Sequence, residues 1–155
     1  MTTDGTWLDD DQQRAWRGWL ALSARLPGAL ARDLQHHSDL SLPDFDVLVQ
    51  LSESAQGRVR FSGLATALAW QRSRLSHHVA RMAGRGLVQR VECDDDGRGA
   101  FVEITTAGRS AIETAAPGHV ATVRRLVFDA LDPEQVRLLE ELTGTLLQRL
   151  DAEST

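Results

Sequence analysis

The chain has 155 residues, 42% hydrophobic and 25% charged, with a formal net charge of −5; this suits one domain, or two small lobes sharing a core, and suffices to bury an interior without covalent staples. A lone cysteine, Cys93, excludes an internal disulfide and a thiolate zinc cluster and reads as a small core filler. No apolar run approaches the roughly 20 residues of a membrane span, and the acidic start MTTDGTWLDDDQQ lacks the basic and apolar parts of a secretory signal, so a cytoplasmic protein with no membrane role is expected.

The first predicted element is a long helix from about Asp9 to His37. Its aspartate run supplies a cap and an acidic first turn, Trp16, Leu20, Leu30 and Leu34 recur at helical spacing, and Pro27 predicts a kink or a break. A second helix restarts at SDLSLPDFDVLVQLSES, with Ser41 as cap, Pro43 in the first turn, and Phe45, Leu48 and Val49 on one side. AQGRVR reads as a loop. FSGLATALAW reads as a short helix capped by Ser62, with Leu64, Ala65 and Leu68 inward. A brief turn leads into QRSRLSHHVARMAGRG, a helix that Gly84 or Gly86 ends in left-handed geometry. Two short helices joined by a tight turn make a helix-turn-helix candidate.

Alternation then replaces helical spacing. LVQRVEC places Leu87, Val91 and Cys93 on one face, and AFVEITT groups Ala100, Val102 and Ile104. The polar, glycine-containing DDDGRG between them predicts a two-stranded hairpin with a charged tip. Thr105 or Thr106 caps a further helix to about Ala130, expected to bend at Pro117-Gly118. In DPEQ, Asp132 as cap, Pro133 and Gln135 open a last helix with the apolar stripe Leu139, Leu142, Leu146 and Leu150.

All 17 basic side chains are arginine. Arginines also dot plain helix surface, so the absence of lysine reads as codon bias. Their distribution is more informative. Ser54 to Val91 holds seven arginines and no carboxylate, while all 22 acidic residues share the rest of the chain with ten arginines, leaving +7 in the middle against −12 elsewhere. A carboxylate-free basic helix suits a polyanion, because each misplaced carboxylate would repel phosphate. At about 100° per residue, Leu75, Val79 and Met82 form one face of the basic helix. The opposite face carries Ser73, His77, Ala80 and Arg81, flanked by Arg74 and Ser76, with Arg72 in the first turn. Serine, histidine and arginine bond base edges or phosphates, and Ala80 keeps the face low for close approach to a groove floor. Arg98 at the hairpin tip suits a narrow minor groove, with Asp96 placed to hold it through an ion pair.

SRLSHHVARMAGRGLVQR followed by DDDGRGAFVEITTAG resembles the MarR family of bacterial transcription regulators, and WLDDDQQRAW resembles a large actinobacterial branch of it. The wing signature of that family is matched by Asp96, Arg98, Ile104-Thr105 and Gly108, with Ile104 in place of the usual leucine. The resemblance covers nearly the whole chain. It implies a mainly α fold with a small β-hairpin wing: a winged helix-turn-helix (residues 41–105) between a first dimerisation helix (1–40) and the remaining dimerisation helices (106–155). It also implies a homodimer on double-stranded DNA, reading an inverted repeat with half-sites about one helical turn apart, in most cases as a repressor. Family members often take small aromatic or phenolic effectors, for which Trp16, Arg17, Trp19, Phe45 and His119 are the candidates; a ligand acts by preferring one of two arrangements. The cysteine of oxidant-sensing relatives has no counterpart near the first helix.

Other readings remain open. An enzyme is not expected, since nucleophile elbow, phosphate-cradling loop and metalloprotease helix are all missing, DDDG lacks calcium-loop spacing, and no cofactor is implied. A metal-responsive regulator would need His36, His37, His77, His78 or His119 to converge, across a dimer or with an aspartate. A helical interaction module without a nucleic-acid role is the third, distinguished by indifference to duplex DNA at low salt.

Overall fold

The structure, a computed structural model, describes residues 6–92 and 99–154. Helix α1 spans Asp10–His37, α2 Leu42–Glu53, α3 Phe61–Leu68, α4 Arg72–Gly84, α5 Thr106–Leu126 and α6 Pro133–Glu153, with a one-turn 3-10 segment at Phe128–Ala130. Strands β1 (Arg58–Arg60), β2 (Val88–Glu92) and β3 (Ala100–Ile104) form an antiparallel sheet in the order β1-β3-β2. This is the expected mainly helical winged-helix fold. The chain divides into two compact units, Met1–Pro117 and Gly118–Thr155.

Helix starts follow local chemistry. Asp9 with Gln12, Ser41 with Asp44, and Asp132 with Gln135 each form a reciprocal capping box at α1, α2 and α6. Neither α3 nor α4 has a side-chain cap: Ser62 lies inside α3, and Arg60 precedes its first residue, which corrects the predicted Ser62 cap. At the end of α4 the left-handed residue is Gly86, with φ of +76°.

Two predicted interruptions are absent as breaks. Helix α1 runs through Pro27 and α5 through Pro117. Each proline removes one backbone donor, but Ser23 and Glu113, whose carbonyls lose that donor, are exposed and open to water. The larger correction is β1. Read from sequence as part of a loop, Arg58–Arg60 pairs with β3 in the register Arg58 with Glu103, Val59 with Val102 and Arg60 with Phe101. The β2–β3 hairpin is therefore extended to a three-stranded sheet, with β3 central and β1 and β2 at its edges.

In the first unit, α2, α3, α4 and the sheet enclose one core. Leu48, Leu51, Leu64, Leu75, Met82 and Val102 are all fully buried. The residues Ala100, Val102 and Ile104 share the inner face of β3, as alternation predicted. Gly108 explains how α5 joins this core: a Cβ there would sit 2.0 Å from the Leu87 carbonyl oxygen. Thr105 fixes that close approach, its N–H donating to Leu87 O at 3.1 Å while its Oγ1 accepts from Gly108 N–H at 3.0 Å.

In the second unit α6 exposes Leu138, Leu142, Leu146, Leu147 and Leu150 along its length. No helix among the described residues is long and apolar enough to cross a membrane.

Candidate nucleic-acid interface

Helix α3, a tight turn and α4 form the helix-turn-helix. The turn is made by Ala69, the one non-glycine residue with positive φ among those described, and its N–H and that of Trp70 close back onto the last turn of α3. Helix α4 then separates two faces. Leu75, Val79 and Met82 are buried, and Arg72, Ser73, Arg74, Ser76, His77, Ala80 and Arg81 are exposed. The helix has no acidic residue in its first turn and no side-chain cap, so its free N–H groups and positive dipole end face solvent, a setting that favours anions.

The arginines of the basic segment are held in an unusual way. Arg74 lies 4.1 Å from the Trp70 ring centre; Arg72 and Arg90 lie 5.7 and 5.2 Å from that of Phe61; Arg58 and Arg60 lie 4.8 and 5.2 Å from that of Phe101. A ring face attracts a guanidinium through its quadrupole but leaves the charge in place. Five of the segment's seven arginines are therefore oriented without full neutralisation. Only Arg90 among them also approaches a carboxylate, Glu92 at 3.5 Å, among the described residues.

The remaining two, Arg81 and Arg85, belong to a network the sequence reading missed. Asp44, 2% exposed, closes the α2 capping box and also accepts from Arg85 Nη1 at 2.6 Å. Arg85 Nη2 donates to the Asp39 carbonyl at 2.7 Å. His78, 8% exposed, packs edge-on to Trp70 and places Nε2 2.9 Å from Asp44 Oδ1, without the alignment of a hydrogen bond. Arg81 Nη2 lies 3.0 Å from His78 Nδ1. A guanidinium only donates, so Nδ1 must accept and the ring proton sits on Nε2, towards Asp44. Burial, with the charges of Arg81 and Arg74, pushes the His78 pKa down against the opposing pull of Asp44. For Asp44 burial pushes upward, but the Arg85 hydrogen bond and charge, with the Ser41 N–H, hold the carboxyl below its ordinary value. A readable signal existed: position 78 falls between Leu75, Val79 and Met82 on the apolar stripe, so its histidine needs a buried partner.

An open concavity of about 370 Å³ adjoins the network, bounded by Gln35, Ser41, Asp44, His78, Arg81 and Arg85. It does not gather the effector candidates. Trp16, Arg17 and Trp19 are exposed on α1, Phe45 is buried in the core of the first unit, and His119 is half-buried in the second. Asp96 and Arg98 lie outside the described residues. For metal binding, no three His, Cys, Asp or Glu side chains cluster among the described residues; His37 bonds within its own helix, to Asp33 O.

A sequence model of the MarR family matches residues 38–99. The chain is similar to AbsC, a MarR family transcriptional regulator from Streptomyces coelicolor, at 40% identity over 94% of this chain and 98% of that one, with a TM-score of 0.89. It is similar at 38% identity to Sco3205, a MarR family regulator of the same organism solved in complex with DNA, over 93% of this chain and 91% of that one, again with a TM-score of 0.89. A curated relative, the transcriptional repressor MprA of Escherichia coli strain K12, is 27% identical over 107 residues, 69% of this chain but only 60% of that repressor's length.

Proposed function

The chain belongs to the MarR family of DNA-binding transcriptional regulators, and from that premise we propose that it is a cytoplasmic homodimeric repressor that reads an inverted-repeat operator. The observation that carries the reading is the exposed face of α4. Arg72, Ser73, Arg74, Ser76, His77 and Arg81 stand in solvent while Leu75, Val79 and Met82 of the same helix are buried. In this reading that face enters the major groove. Arg98, steadied by Asp96, enters the minor groove beside it. Residues 41–105 do the reading, and 1–40 with 106–155 hold two copies together.

The dimer is supported by exposed apolar surface. Trp16, Trp19, Leu20 and Leu22 of α1 are 45–54% exposed, and Leu138, Leu142, Leu146, Leu147 and Leu150 of α6 are 41–63% exposed, more large apolar side chains than a lone soluble chain usually leaves in water. Release by a small aromatic effector completes the proposal and rests on the family alone.

Selection of bound duplexes from random-sequence DNA, followed by nuclease protection, tests the reading. The expected result is a two-fold symmetric site of about two helical turns whose affinity falls steeply with salt. No binding at low salt would leave a helical interaction module; recovery of only asymmetric sites would remove the dimer.

A further inference from the structure

The outer sheet face formed by β1 and β3, half-buried at Arg58, Phe101 and Glu103 and exposed at Arg60, lies beside the helix-turn-helix and carries none of the DNA-contact candidates. Resting on the DNA-binding reading, the geometry points to this face as a second phosphate-contacting surface: Arg58 and Arg60 grip the duplex backbone alongside the wing, and Phe101 is the positioning residue that aims them.

Strand β1 places the two arginines on one side, two residues apart, around the inward Val59. Both guanidiniums meet the same ring, that of Phe101 on the neighbouring strand, at 4.8 and 5.2 Å. Neither pairs with a carboxylate among the described residues. Glu103 stands directly opposite Arg58, yet it accepts instead from Gln89 Nε2 at 2.6 Å across the other strand. Among the described residues Arg58 Nε donates at 3.1 Å to Gln56 Oε1, which is neutral. Location supplies the partner. A Cβ built on Gly99 would lie 3.6 Å from Arg60 Nη1, so this guanidinium sits beside the start of β3, where the chain leaves the segment that holds Arg98 in the sequence. Arg60 also immediately precedes α3. A surface flanking both the wing and the helix-turn-helix, with two charges that meet no carboxylate among the described residues, fits the sugar-phosphate backbone next to the groove the wing enters. Two flexible cations pre-set by a ring lose less freedom on meeting phosphate.

Fluorescence anisotropy decides the matter with two probes, a duplex selected by the wild-type protein and a random-sequence duplex of equal length, across a salt series. Replacing both residues (Arg58→Ala with Arg60→Ala) should weaken binding to the two probes alike and lower the slope of log K against log salt by about 1 per arginine. Phe101→Leu keeps both charges and should weaken binding about two- to fivefold, and should add nothing in the Arg58→Ala/Arg60→Ala background. A merely structural role for Phe101 would lower the thermal midpoint and cost the same in both backgrounds, which overturns its positioning role. An unchanged slope in the double arginine variant, with wild-type binding intact, overturns the surface but not the parent reading. Absence of binding by the wild-type protein overturns both.

Discussion

Arg81 stands at the join between a buried network and the exposed polar face of α4. Its Nη2 meets His78 Nδ1, while the side chain is exposed beside Ser73 and His77. His77→Ala and Arg81→Ala should each cost on the order of 1–3 kcal/mol on the selected operator. Competition binding shows the kind of contact: equal losses on random DNA would make them phosphate contacts. Asp44→Ala should cost about 3 kcal/mol of folding stability in a urea titration, since it strands a buried imidazole, frees Arg85 and opens the α2 cap together. The figure sits at the low end for a broken buried pair because the Arg85 side chain is 43% exposed. His78 adds a pH dependence of definite sign. With its folded pKa depressed below 6.5, the unfolded chain takes up the proton first. Its contribution is therefore complete above pH 6.5 and drains away as pH falls towards the folded value. Protonation also removes the acceptor for Arg81. A His78→Gln variant should flatten the stability profile below pH 6.5 relative to wild type; identical profiles would dismiss His78 as its source.

At the scale of elements, Gly108 seats the start of α5 against the Leu87 carbonyl. Gly108→Ala places a methyl into backbone that cannot swing aside, and should cost about 3 kcal/mol, read as a lowered thermal midpoint; an unchanged midpoint would show that α5 can slide. This residue was legible in the sequence only as a member of the family wing signature. Its reason, a contact between residues 21 positions apart, needs coordinates. The Asp132–Gln135 capping box was legible because its partners lie three residues apart, and the α4 faces because one helical period sorts them. Strand β1 was not, because one valine between two arginines shows too little alternation and the strand is fixed by β3, more than 40 residues later. His78 was missed because residue type outweighed position. Asp44 was missed because its partners Arg85 and His78 lie more than 30 residues away in the sequence.

Across the whole molecule the balance of charge and of apolar surface is uneven in complementary ways. The cations gather in the first unit between Ser54 and Val91, and the exposed leucines run along α6 in the second. Leu142→Glu with Leu146→Glu alters positions that are 61% and 53% exposed in a single chain, so an isolated chain should tolerate it. Sedimentation velocity should show the wild type as a dimer and the variant as a monomer with weakened operator affinity; an unshifted sedimentation coefficient would place the subunit contact elsewhere. The carboxylate at position 44 carries a mechanical consequence as well. By closing α2 and tethering the far end of α4, it makes the two a coupled strut, and neither can tilt without dragging the other. Amide hydrogen exchange should report that linkage as a common opening rate for the first turn of α2 and the last turn of α4, split into two rates once the tether is cut.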